Sequence, residues 1–558
     1  MKRYHIIIKT ILGILGNLLF ASCVDDNIEQ NYSELNELVL KMDTQKALQA
    51  PENVNDSILV KIAPEITLPE GRTRNDLSFE WRIRTKRDYS TIWDIYSTSD
   101  TLVYYVKADT KNTFFRFGVT DNELGITTYR EFTIKILRPF EDNWFVLQNI
   151  GDKPVLGSIE VPGEEPLITP DVFQIKYGQP MSLTGTPKAL NYCFWRDKSS
   201  GNPSEWRLQV LTNTDEAIYD SKHLQEKIYD YSNSLYPVPA EAAIQSAHTY
   251  QYGEVITNNG ELYFSAEDGS YVYFKGKLAK DIENANIVNA VAFNSDNSYH
   301  LLAFDDQNKQ FLYSNPDVYF GAGKLYRKVP NMGETIYNNY VKITIQNVPD
   351  YAREGKPNKF SPKLDENHEL LFMDNWYDGN VVAFTHNKQD GKVYVFDFSN
   401  SSATKRDTCF CLAEKACELN GNAEDAHIAV SSAFKNIFFY ASGNKVYRVD
   451  LNRSTPKTIL IYEHPDAGAR IHVMKFRHAN FVSMVDRDGD DEAETLLQQT
   501  RTLGLAVEKG GKWSVTEIYL AASGDVEKDD EKNPKVYEYD GFGEIVDIVY
   551  TFACKWWQ

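Results

Sequence analysis

Cysteine, long helical periodicity and catalytic signature motifs are what this 558-residue sequence has least of. Its six cysteines are Cys23, Cys193, Cys409, Cys411, Cys417 and Cys554. Apart from Cys23 they are odd in number and thinly spread, which excludes a disulfide framework. One bridge within the 409–417 cluster fits an oxidising compartment, and its partners stay open. As a metal site that cluster is poor, because Cys409 and Cys411 stand one residue apart and no second Cys-x-x-Cys pair exists. No Gly-x-Ser-x-Gly elbow, His-Glu-x-x-His helix or phosphate-binding glycine loop is present. The ten histidines are dispersed; His472 and His478 flank a strand-like Val473–Phe476 and read as ordinary loop or surface residues. Basic residues are also scarce, 59 against 79 acidic, for a net charge of −20. That balance argues against a nucleic-acid footprint or a basic membrane-binding face.

Aromatic residues are what the chain has in plenty: 34 Tyr, 29 Phe and 9 Trp. Together with β-branched runs they are cut by short Gly, Asn and Asp clusters, the pattern of many short strands. Two segments have helical spacing, Leu35 to Leu48 and a shorter piece from Ala240 to Ala247.

The amino terminus has the layout of an export signal. Lys2, Arg3 and Lys9 precede an apolar stretch from Ile11 to Phe20, too short to span about 30 Å of hydrocarbon. Leu19-Phe20-Ala21-Ser22-Cys23 resembles the lipobox of bacterial lipoproteins. That resemblance implies cleavage before Cys23 and lipidation of Cys23, so that 1–22 is a signal peptide and 23–50 a lipidated tether. Loss of 1–22 removes three basic residues and no acidic one, leaving the mature chain near −23. Val24-Asp25-Asp26 is similar to the acidic surface-export signal of Bacteroidota lipoproteins. The implied location is the outer membrane, facing the cell exterior.

Residues 51–138 read as a small β-sandwich. Leu77, Phe79, Trp81 and Ile83 alternate onto one face of a strand, with Trp81 as a core tryptophan. Leu102 to Val106 is a second strand. A hairpin follows, from Phe115-Arg116-Phe117 through the turn Asp121–Gly125 to Thr127–Leu137. The Phe79-Glu80-Trp81 strand, Val119-Thr120-Asp121-Asn122, Gly125 and Phe132-Thr133-Ile134 resemble a PKD or immunoglobulin-like domain. Behind a lipobox, this resembles the PKD-like family lipoproteins of Bacteroidota, in which the domain is a spacer with no catalytic residue to transfer.

Beyond Pro139 seven strand-turn-strand units recur. They span Trp144–Ile159, Trp206–Tyr219, Leu262–Phe274, His300–Tyr313, Val381–Phe398, Ile437–Val449 and Leu503–Ile518. A lone hairpin cannot bury its apolar face, whereas several arranged about an axis can. The expected architecture is therefore all-β: an N-terminal Ig/PKD-like β-sandwich followed, over 140–553, by a seven-bladed β-propeller. Glu544–Tyr550 would close the ring on the first blade. Two further β-sandwich modules are the alternative. The tail Phe552–Gln558 has no place in this scheme.

Candidate ligand-binding residues are aromatics in long connections: Trp376 with Tyr377, Asp374 and Asn375, and a second group of Trp195 and Trp206 with Tyr192. A ring flanked by carboxylate and amide suits stacking on a sugar while bonding its hydroxyls, or holding a peptide. The same rings also suit a propeller core. Asp486, Asp488 and Asp490 offer alternate oxygen ligands for calcium, the only cofactor suggested. The glycine of that loop stands at its fourth position and Leu497 at its twelfth, so a solvated acidic loop accounts for it better. No catalytic residue is assigned. A glycosidase carboxylate pair cannot be read from spacing. The family resemblance implies partnership with SusC/SusD-like transport proteins, and hence a non-catalytic surface protein capturing glycan or peptide. The alternatives are a polysaccharide hydrolase or lyase on a propeller scaffold, and a scaffold for the uptake complex.

Overall fold

The computed structural model describes residues between 38 and 551. It leaves out interior stretches, of which those of six residues or more are 50–55, 196–204, 265–274, 294–300, 315–323, 329–334, 348–360, 400–409, 478–483 and 486–493. Cys23, Cys409, Cys554, His478 and the Asp486–Asp490 loop thus lie outside the described residues. The chain is all-β and divides into two compact units, Met1–Ile136 and Leu137–Gln558.

In the first unit a five-stranded sheet runs in the order Gln45–Gln49, Ile126–Leu137, Thr113–Asp121, Leu77–Arg87, Ser90–Ser97, the last four strands pairing antiparallel. A ribbon of Ser57–Ile62 and Leu102–Lys107 supplies further core residues. The alternation read in Leu77–Ile83 is present: all four side chains join one core, in which Trp81 is fully buried with its ring 4.5 Å from Phe117. Asp121 holds the turn, its Oδ1 accepting the amides of Glu123 and Leu124 while Arg72 pairs with Oδ2 at 3.2 Å. The helix expected at Leu35–Leu48 is instead two strands, Val39–Lys41 and Gln45–Gln49. Pairing overrides local spacing there: Thr44 O accepts the amide of Thr133 in the neighbouring strand.

Among its described residues the second unit holds seven sheets of four or five strands, besides two two-stranded ribbons. The first orders Leu167–Thr169, Pro154–Glu160, Asn143–Asn149 and Glu544–Thr551. The second, fifth, sixth and seventh follow the chain without crossover. They open with Pro187–Trp195, His368–Asn375, His427–Ala429 and Arg470–Phe476 respectively. The third and fourth begin with Ile244–Tyr250 and Ile287–Ala292 and each gain a fifth strand. Pairing of Glu544–Thr551 with Asn143–Asn149 is the contact expected of the last strand.

Six of the seven hairpins lie where expected. The third, expected over Leu262–Phe274, falls mostly on 265–274, outside the described residues, and Glu261–Phe264 pairs antiparallel with Lys275–Lys277 just beyond them. The same strand also pairs back onto Gly253–Asn258 across Asn259-Gly260, both at positive φ (48° and 70°), the turn that Asn-Gly favours. The piece read as helical at Ala240–Ala247 leads into the strand Ile244–Tyr250. One short helix was not expected: Val172–Tyr177, whose amino end is capped by Asp171 accepting Gln174 N.

A buried ionic cluster sits where the seventh sheet meets the first. Glu517, fully buried in strand Lys512–Tyr519, accepts from Arg477 Nε and Trp144 Nε1, both at 2.7 Å, and from the hydroxyls of Tyr539 and Tyr519. Arg477 lies over the Tyr550 ring at 4.2 Å. Gly504 makes room for Trp144, since a Cβ there would stand 2.6 Å from the indole.

Candidate functional site

Side chains on or beside one edge strand of each sheet bond to groups of a neighbouring sheet. In the first sheet, Asp547 is buried, and its Oδ2 accepts from Leu190 N of the second sheet at 2.8 Å and from Lys475 Nζ of the seventh at 2.7 Å. Asn191, next along the second sheet's strand, donates to Ala247 O of the third at 3.1 Å. His248 of the third sheet places Nε2 at 2.9 Å from Asn289 Oδ1 of the fourth. Its Nδ1 stands 3.7 Å from Asp374 Oδ1 of the fifth. Asn375 donates to Ala292 O of the fourth sheet at 2.7 Å. Trp376 donates its indole N–H to Phe434 O, just past the sixth sheet's opening strand, at 3.1 Å. Ser431 Oγ reaches Thr500 O beside the seventh sheet at 2.5 Å. Each consecutive pair of sheets, and the seventh with the first, is therefore joined by a side-chain hydrogen bond or ion pair.

Local sequence explains why polar groups occur there. Each opening strand carries apolar residues toward its own sheet's packing, as Ile471 and Met474 do, and leaves alternate positions for Lys475, His248 or Asp374. A bulge between Ile471 and Val473 turns His472 outward, where its ring lies 4.7 Å from Trp513. His427 of the sixth sheet has its pKa lowered, first by burial and then by the neighbouring His472, which favours its neutral form.

The side chains of His248 and Asp374 are 18 % and 19 % exposed and that of Lys475 is 38 % exposed, so all three are open to solvent while held by neighbours. Asp374 Oδ1 also accepts the Asn375 amide. His248 and Asp374 with Asn289 offer hydrogen-bond donors and acceptors together, while Lys475 belongs to the separate contact with Asp547. The His248 imidazole contacts an amide and a carboxylate, the surroundings of a hydrogen-bonding group rather than of a base beside a nucleophile.

Of the residues expected to bind ligand, Asp374 belongs to this set and Asn375 is buried in its support. Trp376 corrects the expectation of an exposed stacking ring. It is 3 % exposed, packed with Val382, Phe384 and Phe438, and its N–H is engaged. Tyr377 is half-buried, with Lys435 Nζ 4.9 Å from its ring centroid. Trp195 and Trp206 lie in adjacent paired strands, Trp206 opposite Phe194, and their side chains are outside the described residues. Tyr192 is a core residue. His248, Asn289, Lys475 and Asp547 were not anticipated, each being a single polar residue in an otherwise unmarked strand.

Among the described residues no three His, Cys, Asp or Glu side chains gather as a metal site requires. Cys411 and Cys417 are buried free thiols, and burial pushes Cys417 up to about 12, far from a reactive thiolate.

Residues 23–187 match the PKD-like family, so the chain has an N-terminal PKD-like domain. The match takes in the described part of the first unit and continues through the short helix Val172–Tyr177 of the second. Three solved structures are similar at low identity. A quinonprotein alcohol dehydrogenase-like protein from Bacteroides thetaiotaomicron is 12 % identical, with TM-score 0.38 over 92 % of this chain and 96 % of that one. Kluyveromyces lactis Hsv2 is 9 % identical, with TM-score 0.32 over 70 % and 93 %. The WD40 domain of SCAP from fission yeast is 10 % identical, with TM-score 0.33 over 64 % and 76 %. At these scores none of the three says what this chain binds or does. No curated protein matches the sequence.

Proposed function

We propose that this protein is a non-catalytic, lipid-anchored surface protein whose second unit is a seven-bladed β-propeller that captures a hydroxyl- or amide-rich ligand. Seven sheets stitched in sequence, with the last strand paired into the first sheet, support the propeller reading. The capture role rests on one observation: the opening strands bring His248, Asn289 and Asp374 from three sheets to one place, with His248 and Asp374 partly open to solvent. Glycan hydroxyls and peptide amides both bond such groups. The lipobox-like Leu19–Cys23 and the PKD-like domain support a surface lipoprotein working beside SusC/SusD-like transport proteins.

The test is direct titration of the chain from residue 24 with host and dietary glycans and with a peptide mixture, products being analysed in the same samples. Saturable binding of intact ligand, weakened roughly tenfold by Asp374→Ala or His248→Ala, is the expected result for loss of one or two buried-edge hydrogen bonds. Shortened or unsaturated products would overturn the non-catalytic reading in favour of a hydrolase or lyase. Silence across the panel would leave the scaffold role.

A further inference from the structure

Fourteen large apolar residues are exposed among the described residues, and nine of them belong to the first unit. Those nine include all three tyrosines among the fourteen. Their clearest concentration is on the ribbon of Ser57–Ile62 and Leu102–Lys107. The inward face of that ribbon is core, with Val60, Leu102 and Val106 buried. Its outward face should then be polar. Instead Leu59 stands directly opposite Tyr105, and Val103 opposite Lys61. Leu59, Val103 and Tyr105 are 45 %, 41 % and 56 % exposed. Tyr96 borders the ribbon, its hydroxyl donating to Val103 O while its ring packs against Tyr104 and Phe115 of the core side. Lys61 marks one end and Lys107 the other, two strand positions beyond Tyr105.

We propose that this outward face rests on a lipid surface. An aliphatic and tyrosine centre with lysines at both ends is the composition of an interfacial segment, the rings and methyls entering the headgroup boundary and the ammonium groups reaching phosphate. The whole-chain charge of −20 does not oppose this. In the chain from residue 24, residues 24–136 hold 14 basic and 19 acidic residues, so 18 of the 23 excess negative charges fall in the second unit. Chain length supplies the geometry: only residues 24–37 separate Cys23 from the first described residue, a reach of about 50 Å at full extension. Delivery to the membrane rests on the proposed lipid at Cys23; the affinity of the ribbon does not.

The experiment uses the chain from residue 24, which keeps every described residue and carries no acyl group. It is co-sedimented with vesicles of phosphatidylcholine alone and of phosphatidylcholine with phosphatidylglycerol. Binding to both is expected, stronger to the anionic mixture, and about tenfold weaker for Leu59→Ser/Tyr105→Ser. Leu460→Ser, an exposed leucine of the second unit, should change nothing. Because Leu59 and Tyr105 face outward, their replacement should leave the urea midpoint unchanged, which separates lost affinity from lost folding. No vesicle binding, or binding indifferent to the double variant, would overturn the proposal. So would a concentration-dependent dimer abolished by the same variant, since a second copy would then be the occupant. Failure to find an acyl chain on Cys23 in cells would overturn the anchor alone.

Discussion

Replacing Glu517 by leucine tests whether the seam between the seventh and first sheets is held by a buried charge pair. Glu517 is fully buried and the Arg477 side chain is 5 % exposed. The substitution strands the guanidinium away from water and removes the acceptor of Trp144 Nε1 and Tyr539 OH. Breaking a buried pair from one side costs about 3–5 kcal/mol. Arg477→Met should cost less, about 2–3 kcal/mol, because the indole and two tyrosine hydroxyls still solvate the carboxylate. Removing both charges together leaves only neutral donors to satisfy. The double variant should therefore lie within about 1–2 kcal/mol of the parent, which gives a coupling energy of several kcal/mol. Urea unfolding followed by tryptophan fluorescence reads these values from the second unit's transition, repeated at high salt because a desolvated pair is weakly screened. If the two single losses add up to the double loss within about 0.5 kcal/mol, the residues are not coupled and the seam is held by packing alone.

Other outcomes follow from single features. Gly504→Ala should destabilise by about 1–3 kcal/mol in the same unfolding assay, its Cβ falling 2.6 Å from Trp144. Trp376→Ala should cost about 3–5 kcal/mol as a core truncation, while Trp376→Phe costs less and leaves ligand binding intact when titrated on folded protein. Acid should weaken the second unit. Burial lowers the pKa of His368 and of His427 below the ordinary 6.5, so between that value and the lower folded value the unfolded chain binds more protons. Stability is thus complete above about pH 6.5 and is lost as pH falls through that window. His368→Gln should flatten the dependence of the urea midpoint on pH between 7.5 and 5.5.

How much of this could be read beforehand varied with the range of the interactions. Hairpins were legible because their signals are local: Gly391, Gly443 and Gly510 occupy positive φ in turns that only such residues adopt cheaply, and the flanking strands alternate within a few residues. The Trp81 core was legible for the same reason. Trp376 misled because Asp374-Asn375-Trp376-Tyr377-Asp378-Gly379 has the composition of an exposed loop, while its burial comes from Phe434 and Phe438, about sixty residues away. Leu35–Leu48 misled because a helical spacing of leucines says nothing of the strand Ile126–Leu137 waiting for a neighbour. The polar set was invisible because no two of its sheets share a local motif; His248 and Asp374 meet across 126 positions of sequence.

The pairing of Asn143–Asn149 with Glu544–Thr551 also has a meaning in time. Thr551 Oγ1 bonds Asn143 across 408 residues of chain. At roughly 5–20 residues per second of synthesis, the strand made first waits on the order of 20–80 s for its neighbour. During that interval its apolar side chains, Trp144 and Val146 among them, have no strand to cover one edge. The loop to be closed is long, which slows docking on top of the delay. A chain that stops short of Glu544 loses one edge of the sheet it began with.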